Sequence, residues 1–319
     1  MNQALIYILT AVVIIVLLLP IAVETEIKPS EGKVFVGPGP IRVEISVEGF
    51  SKLKAGSVEI YFKPLHERLA QEVAQALQNA LQLSSERLGI PAAPLSVALF
   101  QREDFEGFAT LSFKMKEPGI WPLFISRDWQ SLQESDLNFQ DSLYWTMPHE
   151  SIEASIASLF YHDWHKGWPS RWIGDGLSGY AGYVITKEHA PKVTDVRLND
   201  YEQRITQLLE KGRDTYDLIR DFVASDELQL AGYGVALAFW LDIAQRYGEE
   251  TIRKFWQQAN AQPRRWCLAL GLICFGGVDA QKAARILSEL TGEDIWAKLQ
   301  NMDLHEVLQT LEQAAGAGI

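Results

Sequence analysis

The sequence contains very little cysteine. Its 319 residues include only two cysteines, Cys267 and Cys274, both inside the apolar run WCLALGLICF. We predict that this run forms one helix, on which residues seven positions apart lie about 10 Å apart along the axis, too far for a disulfide. The two cysteines are therefore predicted to be buried thiols that act as small apolar side chains, and they do not identify a redox compartment.

Positive charge is also scarce. The chain has 29 Lys and Arg against 41 Asp and Glu, a formal net charge of −12, and it contains no basic stripe. Binding to phosphates requires clustered basic side chains, so the composition argues against nucleic acid as a partner. It also disfavours adhesion to an anionic lipid surface through charge alone. With 47% hydrophobic residues, the chain can bury the core of one large domain or two subdomains.

No lysine or arginine precedes the one long apolar run, ALIYILTAVVIIVLLLPIAV at residues 4–23. Twenty helical residues span about 30 Å, the thickness of a bilayer core. A cleavable signal peptide would have a basic start, a shorter run and small residues at its end, so residues 1–26 are predicted to be a single-pass anchor. Lys28 and Lys33 weakly favour a cytoplasmic body, but charge alone leaves the orientation open.

The remaining sequence predicts an α+β fold. Apolar and polar residues alternate in the predicted strands, and apolar residues recur at helical spacing over residues 65–89. Pro122 places the last strand at a sheet edge. Strands are predicted at 41–47, 57–63, 95–101 and 119–126, and helices roughly at 149–164, 172–187, 199–223, 231–247, 249–259, 279–291 and 293–313. This pattern divides the body into a mixed β-sheet subdomain with one long helix (27–148) and a mostly helical lobe (149–319).

The segment HESIE at residues 149–153 differs in one letter from H-E-x-x-H, the helix motif of zinc peptidases. His149 and Glu153 are four residues apart, so on a helix they point the same way and could hold one ion. Glu150 is offset by one residue, which in H-E-x-x-H enzymes lets the glutamate act on the metal-bound water as general base. Asp175, in RWIGDGLSGY, is the candidate third ligand.

The order of these segments resembles the gluzincin metallopeptidases, and most closely the peptidase MA-like family. The resemblance rests on VEIYF, LAQEVAQALQNALQLSSERLGIP, LSVALFQREDFEGF, PLFISR, MPHESIEASI, PSRWIGDGLSGY and YGVALAFWLDIAQRYGEETIRKFWQ, in that order. It implies a thermolysin-like fold, a divalent ion held by His149, Glu153 and Asp175, and Glu150 as the catalytic base. It also implies a body outside the cytoplasm, as in many envelope-associated relatives. Tyr233 opens a helix that crosses the cleft in gluzincins, where it could stabilise an oxyanion or simply pack in the core.

The sequence departs from the family pattern at the site itself. Glu153 replaces the second histidine, Asp175 replaces a glutamate ligand, and Gly179 replaces a second acidic residue. Two carboxylates would neutralise the charge of Zn²⁺ and shift the preference towards Mn²⁺, Fe²⁺ or Mg²⁺. Pro148 predicts that the helix begins or kinks at the motif.

Two functional hypotheses follow. The departures favour a degenerate or very weak peptidase that keeps its cleft for binding a protein or peptide partner. The alternative is an active, membrane-tethered metallopeptidase that uses the same residues.

Overall fold

A computed structural model of the chain describes residues 33–36, 43–46, 49–101, 120–125, 132, 137–157, 171–263, 266–268, 273–275 and 277–316. The strands are β1 (Lys33–Val36), β2 (Val43–Ser46), β3 (Ser51–Ala55), β4 (Val58–Phe62), β5 (Leu95–Gln101), β6 (Ile120–Ile125), β7 (Thr215–Tyr216), β8 (Trp266–Leu268), β9 (Ile273–Phe275) and β10 (Met302–Asp303). The α-helices are α1 (Glu67–Leu88), α2 (Leu137–Asp141), α3 (Met147–Ala157), α4 (Arg171–His189), α5 (Pro191–Glu210), α6 (Asp226–Tyr247), α7 (Glu249–Asn260), α8 (Ala280–Thr291), α9 (Ile295–Gln300) and α10 (Leu304–Gly316). Short 3₁₀ turns lie at Pro64–His66 and Asp221–Val223. This arrangement confirms the predicted α+β class.

The main sheet has four strands in the order β3-β4-β5-β6. β3 pairs with β4 in the antiparallel sense, and β4–β5 and β5–β6 are parallel. The sheet is therefore mixed, as predicted. β6 is an edge strand of this sheet, and its Pro122 stands opposite Ala98, which agrees with the rule that proline is confined to edges.

The long helix α1 packs on this sheet because one of its faces is apolar. Leu69, Val73 and Leu77 recur at four-residue spacing and are buried in one core region with Ile60 and Val97 of the sheet. The helix ends at a glycine that adopts a left-handed conformation (φ 72°) and donates its backbone N–H to the Ser85 carbonyl, as a C-terminal cap requires.

The second and larger core region lies in the helical lobe, and α4 runs through it. Every residue of α4 from Arg171 to Thr186 is buried, so this helix has no solvent-facing side over that length. Close approach of its neighbours depends on glycine. A Cβ at Gly176 would lie 2.9 Å from Trp240 Cδ1 and 3.1 Å from the Ala236 Cβ, so a side chain there would displace α6.

Two predicted helices of the lobe have different bounds in the structure. The predicted helix at 199–223 is wrong: helix α5 runs from Pro191 to Glu210, because proline fits the first turn of a helix. The predicted helix at 293–313 is interrupted by β10, which pairs with β7. The Asp303 side chain accepts hydrogen bonds from the backbone N–H groups of His305 and Glu306, and so starts α10 as a new helix.

The described parts of the apolar run that contains both cysteines are strands, not segments of a helix. Its two ends form the antiparallel strands β8 and β9, with Cys267 directly opposite Cys274. The prediction was wrong because a short apolar run is compatible with either structure, and the glycine at its centre, Gly271, favours a turn. The distance argument against a disulfide assumed a helix and does not apply to this hairpin.

Among the described residues, no helix is both long enough and apolar enough to cross a membrane. The predicted anchor at residues 4–23 lies outside these residues. The division of the chain into three parts stays a prediction.

Candidate metal centre

The helix that carries the HESIE motif is preceded by a π-helical turn. Residues Ser142–Thr146 form this turn, in which the Met147 N–H donates to the Ser142 carbonyl, and α3 follows without a break. Pro148 has no N–H and could not continue a regular α-helical hydrogen-bond pattern through this point. Of the two predicted alternatives, a helix that begins at the motif is wrong, because the chain is already helical from Leu137, and the helix is instead irregular just before the motif.

Three side chains of the motif lie together. His149, Glu150 and Glu153 each offer one ligand atom within 4.8 Å of the others, and all three residues are partly buried. His149 Nε2 lies 3.8 Å from Glu153 Oε2. The four-residue spacing on α3 thus does bring His149 and Glu153 together, and Glu150 lies beside them.

Asp175 is engaged elsewhere. Arg171, one turn earlier on α4, donates from Nε to Asp175 Oδ2 at 2.7 Å and from Nη2 to Oδ1 at 3.0 Å. The side chains are only 8% and 6% exposed, so this is a buried, bidentate ion pair. Each of the two oxygens that Asp175 could offer to an ion therefore accepts a hydrogen bond from Arg171.

The guanidinium of Arg171 also contacts Tyr233, which was predicted as a site residue. Arg171 Nη2 donates to the Tyr233 hydroxyl at 2.8 Å, and Tyr233 is contributed by α6. The guanidinium also lies over the rings of Phe222 and Tyr233, with its central carbon 4.9 and 5.5 Å from their centroids. Arg171 therefore connects Asp175 of α4 to Tyr233 of α6.

Ser178 joins His149 to the backbone of α4. Its Oγ lies 2.6 Å from the Gly174 carbonyl and 3.2 Å from His149 Nε2. His149 Nδ1 is buried, with no hydrogen-bond partner among the described residues.

Burial controls the charges at this centre. It lowers the pKa of His149 to about 4, so the imidazole is neutral at pH 7. Burial, together with the nearby Asp175 carboxylate, raises the pKa of Glu150 to about 8. Burial opposes the charge of Arg171, but its hydrogen bonds and ion pair with Asp175 outweigh this and raise its pKa. Burial also raises the pKa of Tyr233.

These residues can be compared with the needs of a divalent ion. His149, Glu150 and Glu153 are close enough to bind one ion, to which His149 would contribute one ring nitrogen. The ligand set predicted from the sequence fits less well. It needs a carboxylate oxygen of Asp175, which is not one of the three grouped side chains and is paired with Arg171. The group is therefore compatible with a divalent metal, but in a different combination of residues.

The roles predicted for His149, Glu153, Asp175, Glu150 and Tyr233 remain predictions. The structure brings the first two together with Glu150 and places Asp175 and Tyr233 on Arg171. Sequence reasoning missed two residues of this centre, which are Arg171 and Ser178. Arg171 precedes Asp175 by four residues on a predicted helix, and that spacing of opposite charges was the available signal.

No family model matches the sequence, and no curated protein sequence matches it. Solved structures similar to this chain include aminopeptidase A of Legionella pneumophila in complex with aspartic acid, with a TM-score of 0.47 and 15% identity over 80% of this chain and 28% of that one. Yeast leukotriene A4 hydrolase in complex with bestatin has a TM-score of 0.42 and 11% identity over 71% of this chain and 38% of that one. The native Saccharomyces cerevisiae enzyme has a TM-score of 0.42 and 12% identity over 66% of this chain and 33% of that one. The chain spans about a third of the length of these enzymes. These values are too low to transfer an activity or a site residue to this chain.

Proposed function

We propose that this protein is a gluzincin-type metallopeptidase-like protein with weak or no peptidase activity, whose cleft binds a protein or peptide partner. One observation carries the proposal: Arg171 holds both carboxylate oxygens of Asp175 in a buried ion pair. The acidic residue in the position of the family's third ligand thus has another partner.

The ion pair between Arg171 and Asp175 limits the role that Glu150 can have at this centre. A metallopeptidase of this kind needs three protein ligands and a separate carboxylate that serves as the base. With Asp175 engaged, the three grouped side chains include Glu150, which cannot be ligand and base at once. If Glu150 is kept as the base, only His149 and Glu153 remain, and losing a ligand or its supporting contact typically costs 10–100-fold in affinity or activity.

The active metal-dependent peptidase remains a second candidate, with His149, Glu153 and Asp175 as ligands and Glu150 as base. The grouping of His149, Glu150 and Glu153 within one short stretch of α3 favours it. A divalent ion there, Zn²⁺ or, given the oxygen-rich set, Mn²⁺ or Fe²⁺, would supply Lewis acidity at a bound carbonyl.

Peptide hydrolysis distinguishes the two candidates. We expect the purified full-length protein, supplied with Zn²⁺ or Mn²⁺, to cleave a labelled peptide library no more than about tenfold faster than Glu150→Gln, because a working general base contributes 10²–10⁴-fold. Some peptides of the library should nevertheless bind to both proteins without being cleaved. Cleavage that is 100-fold faster in the wild type, together with stoichiometric metal by elemental analysis, would establish the active enzyme instead.

The proposal also places the protein in a membrane through a single N-terminal helix, with its body outside the cytoplasm. The apolar run at residues 4–23 supports the anchor, and the family resemblance supports the orientation. The body would then be periplasmic or extracellular, and we expect a protease added to spheroplasts, or to intact cells without an outer membrane, to degrade a C-terminal tag while a cytoplasmic marker stays intact. Protection of the tag until the cells are lysed would place the body on the cytoplasmic side, as the two lysines after the run weakly suggest.

A further inference from the structure

Three carboxyl groups from two helices lie at this centre. Glu150 and Glu153 come from α3 and Asp175 from α4, and the Asp175 charge is felt at both His149 and Glu150. Because buried negative charge is stable only when it is compensated, such a centre needs a cation nearby. In a metallopeptidase the ion supplies this positive charge. Here a guanidinium lies beside the acids.

Arg171 is bound as a structural cation would be. Its side chain is 8% exposed, it forms two hydrogen bonds with Asp175 and one with Tyr233, and its charge also acts on Glu150 and Glu153. A guanidinium keeps its charge at any physiological pH and matches a carboxylate through two parallel hydrogen bonds. Arg171 is therefore a permanent positive charge inside the centre.

Asp175 lies on the part of α4 that contacts the motif helix. The carboxylate of Glu153 lies close to Gly174, the residue before Asp175. A Cβ placed on Gly174 would lie 3.6 Å from Glu153 Oε1. Ser178, three residues later, contacts His149 Nε2 at 3.2 Å. Gly174 and Ser178 are four residues apart and share one face of α4, and Asp175 belongs to the same helical turn.

We propose that Arg171 is a built-in cation that takes the place of a metal ion at this centre and withholds Asp175 from coordination. Replacement of the guanidinium by a neutral side chain releases Asp175 and turns the centre into a site for Zn²⁺ or Mn²⁺, held by Asp175 with His149 and Glu153. The inference deepens the proposed function and rests on it, since it gives the physical reason why the predicted ligand set is not assembled.

The test uses the full-length protein in four forms: wild type, Arg171→Met, Arg171→Met with Asp175→Asn, and Arg204→Met. The last removes a partly buried arginine that pairs with Asp200 at the same four-residue spacing and serves as the matched control. Binding of Zn²⁺ and Mn²⁺ is measured by titration calorimetry and elemental analysis. We expect Arg171→Met to bind Zn²⁺ at least about 100-fold more tightly than the wild type, the double variant to lose that gain, and Arg204→Met to match the wild type.

Equal affinity in wild type and Arg171→Met would overturn the inference, and so would a double variant that binds as tightly as the single one. If Arg171→Met does not fold in metal-free buffer, circular dichroism is followed while Zn²⁺ is added. Refolding near one equivalent, absent in the double variant, supports the inference, and no refolding overturns it. These results do not depend on peptide hydrolysis by the wild type, so failure here is distinguishable from failure of the proposed function.

Discussion

Arg171→Met is expected to lower the free energy of unfolding by about 3–5 kcal/mol in metal-free buffer at pH 7. The reason is that removing one partner of a buried ion pair leaves the other charge buried without compensation. Asp175 is 6% exposed, and both of its oxygens accept from Arg171, so little water can replace the guanidinium. Chemical denaturation followed by tryptophan fluorescence gives the measurement.

Two further variants test whether the loss of stability comes from breaking the buried ion pair between Arg171 and Asp175. Adding Asp175→Leu to Arg171→Met should recover most of the lost stability, because a buried ion pair replaced as a whole by apolar residues is often neutral or stabilising. Arg204→Met, which breaks a half-exposed pair with Asp200, should cost less than about 1 kcal/mol. Similar costs for Arg171→Met and Arg204→Met would show that the pair is screened by water and is not the buried contact described above.

Glu150→Gln is expected to become more stable relative to the wild type as the pH rises. Burial raises the pKa of Glu150 from 4.5 to about 8, so between these values the folded state keeps a proton that the unfolded chain has lost. Folding then becomes less favourable with rising pH in the wild type, and glutamine, which does not ionise, removes that loss. Over about pH 5 to 8 the difference in unfolding free energy should grow by roughly 2–4 kcal/mol.

His149 titrates in both proteins, with its pKa lowered to about 4, so its contribution cancels in this difference. The measurement is a set of denaturation curves at several pH values in the presence of a chelator. Glu289→Gln, at an exposed position on helix α8, is the matched control. If the Glu150→Gln difference stays flat, Glu150 is ionised in the folded protein and is not desolvated.

The predictable part of the fold is the part with regular, local patterns. The four-residue spacing of Leu69, Val73 and Leu77, followed by Gly89, determines the helix α1 almost to the residue. Strand β5 has the predicted bounds because a short apolar segment between turn residues has few alternatives. The hairpin of β8 and β9 was missed since its apolar run has no period that separates a strand from a helix.

In the candidate site, too, the local contacts were predictable from the sequence and the long-range contacts were not. The contact between His149 and Glu153 follows from spacing on one helix, and the sequence was sufficient to predict it. The partner of Asp175 was recognisable in principle, because Arg171 is only one turn away. The bond from Arg171 to Tyr233 joins residues 62 positions apart, and no local pattern encodes it.

The arginine at this centre belongs to the polypeptide and lies four positions from its carboxylate partner. A contact between residues so close in sequence needs almost no loop closure and can form with the first turns of α4. A chelator cannot extract such a cation, and a cell short of zinc cannot withhold it. The charge balance of this centre is therefore established during synthesis of the chain, independently of the metal supply of the compartment in which it folds.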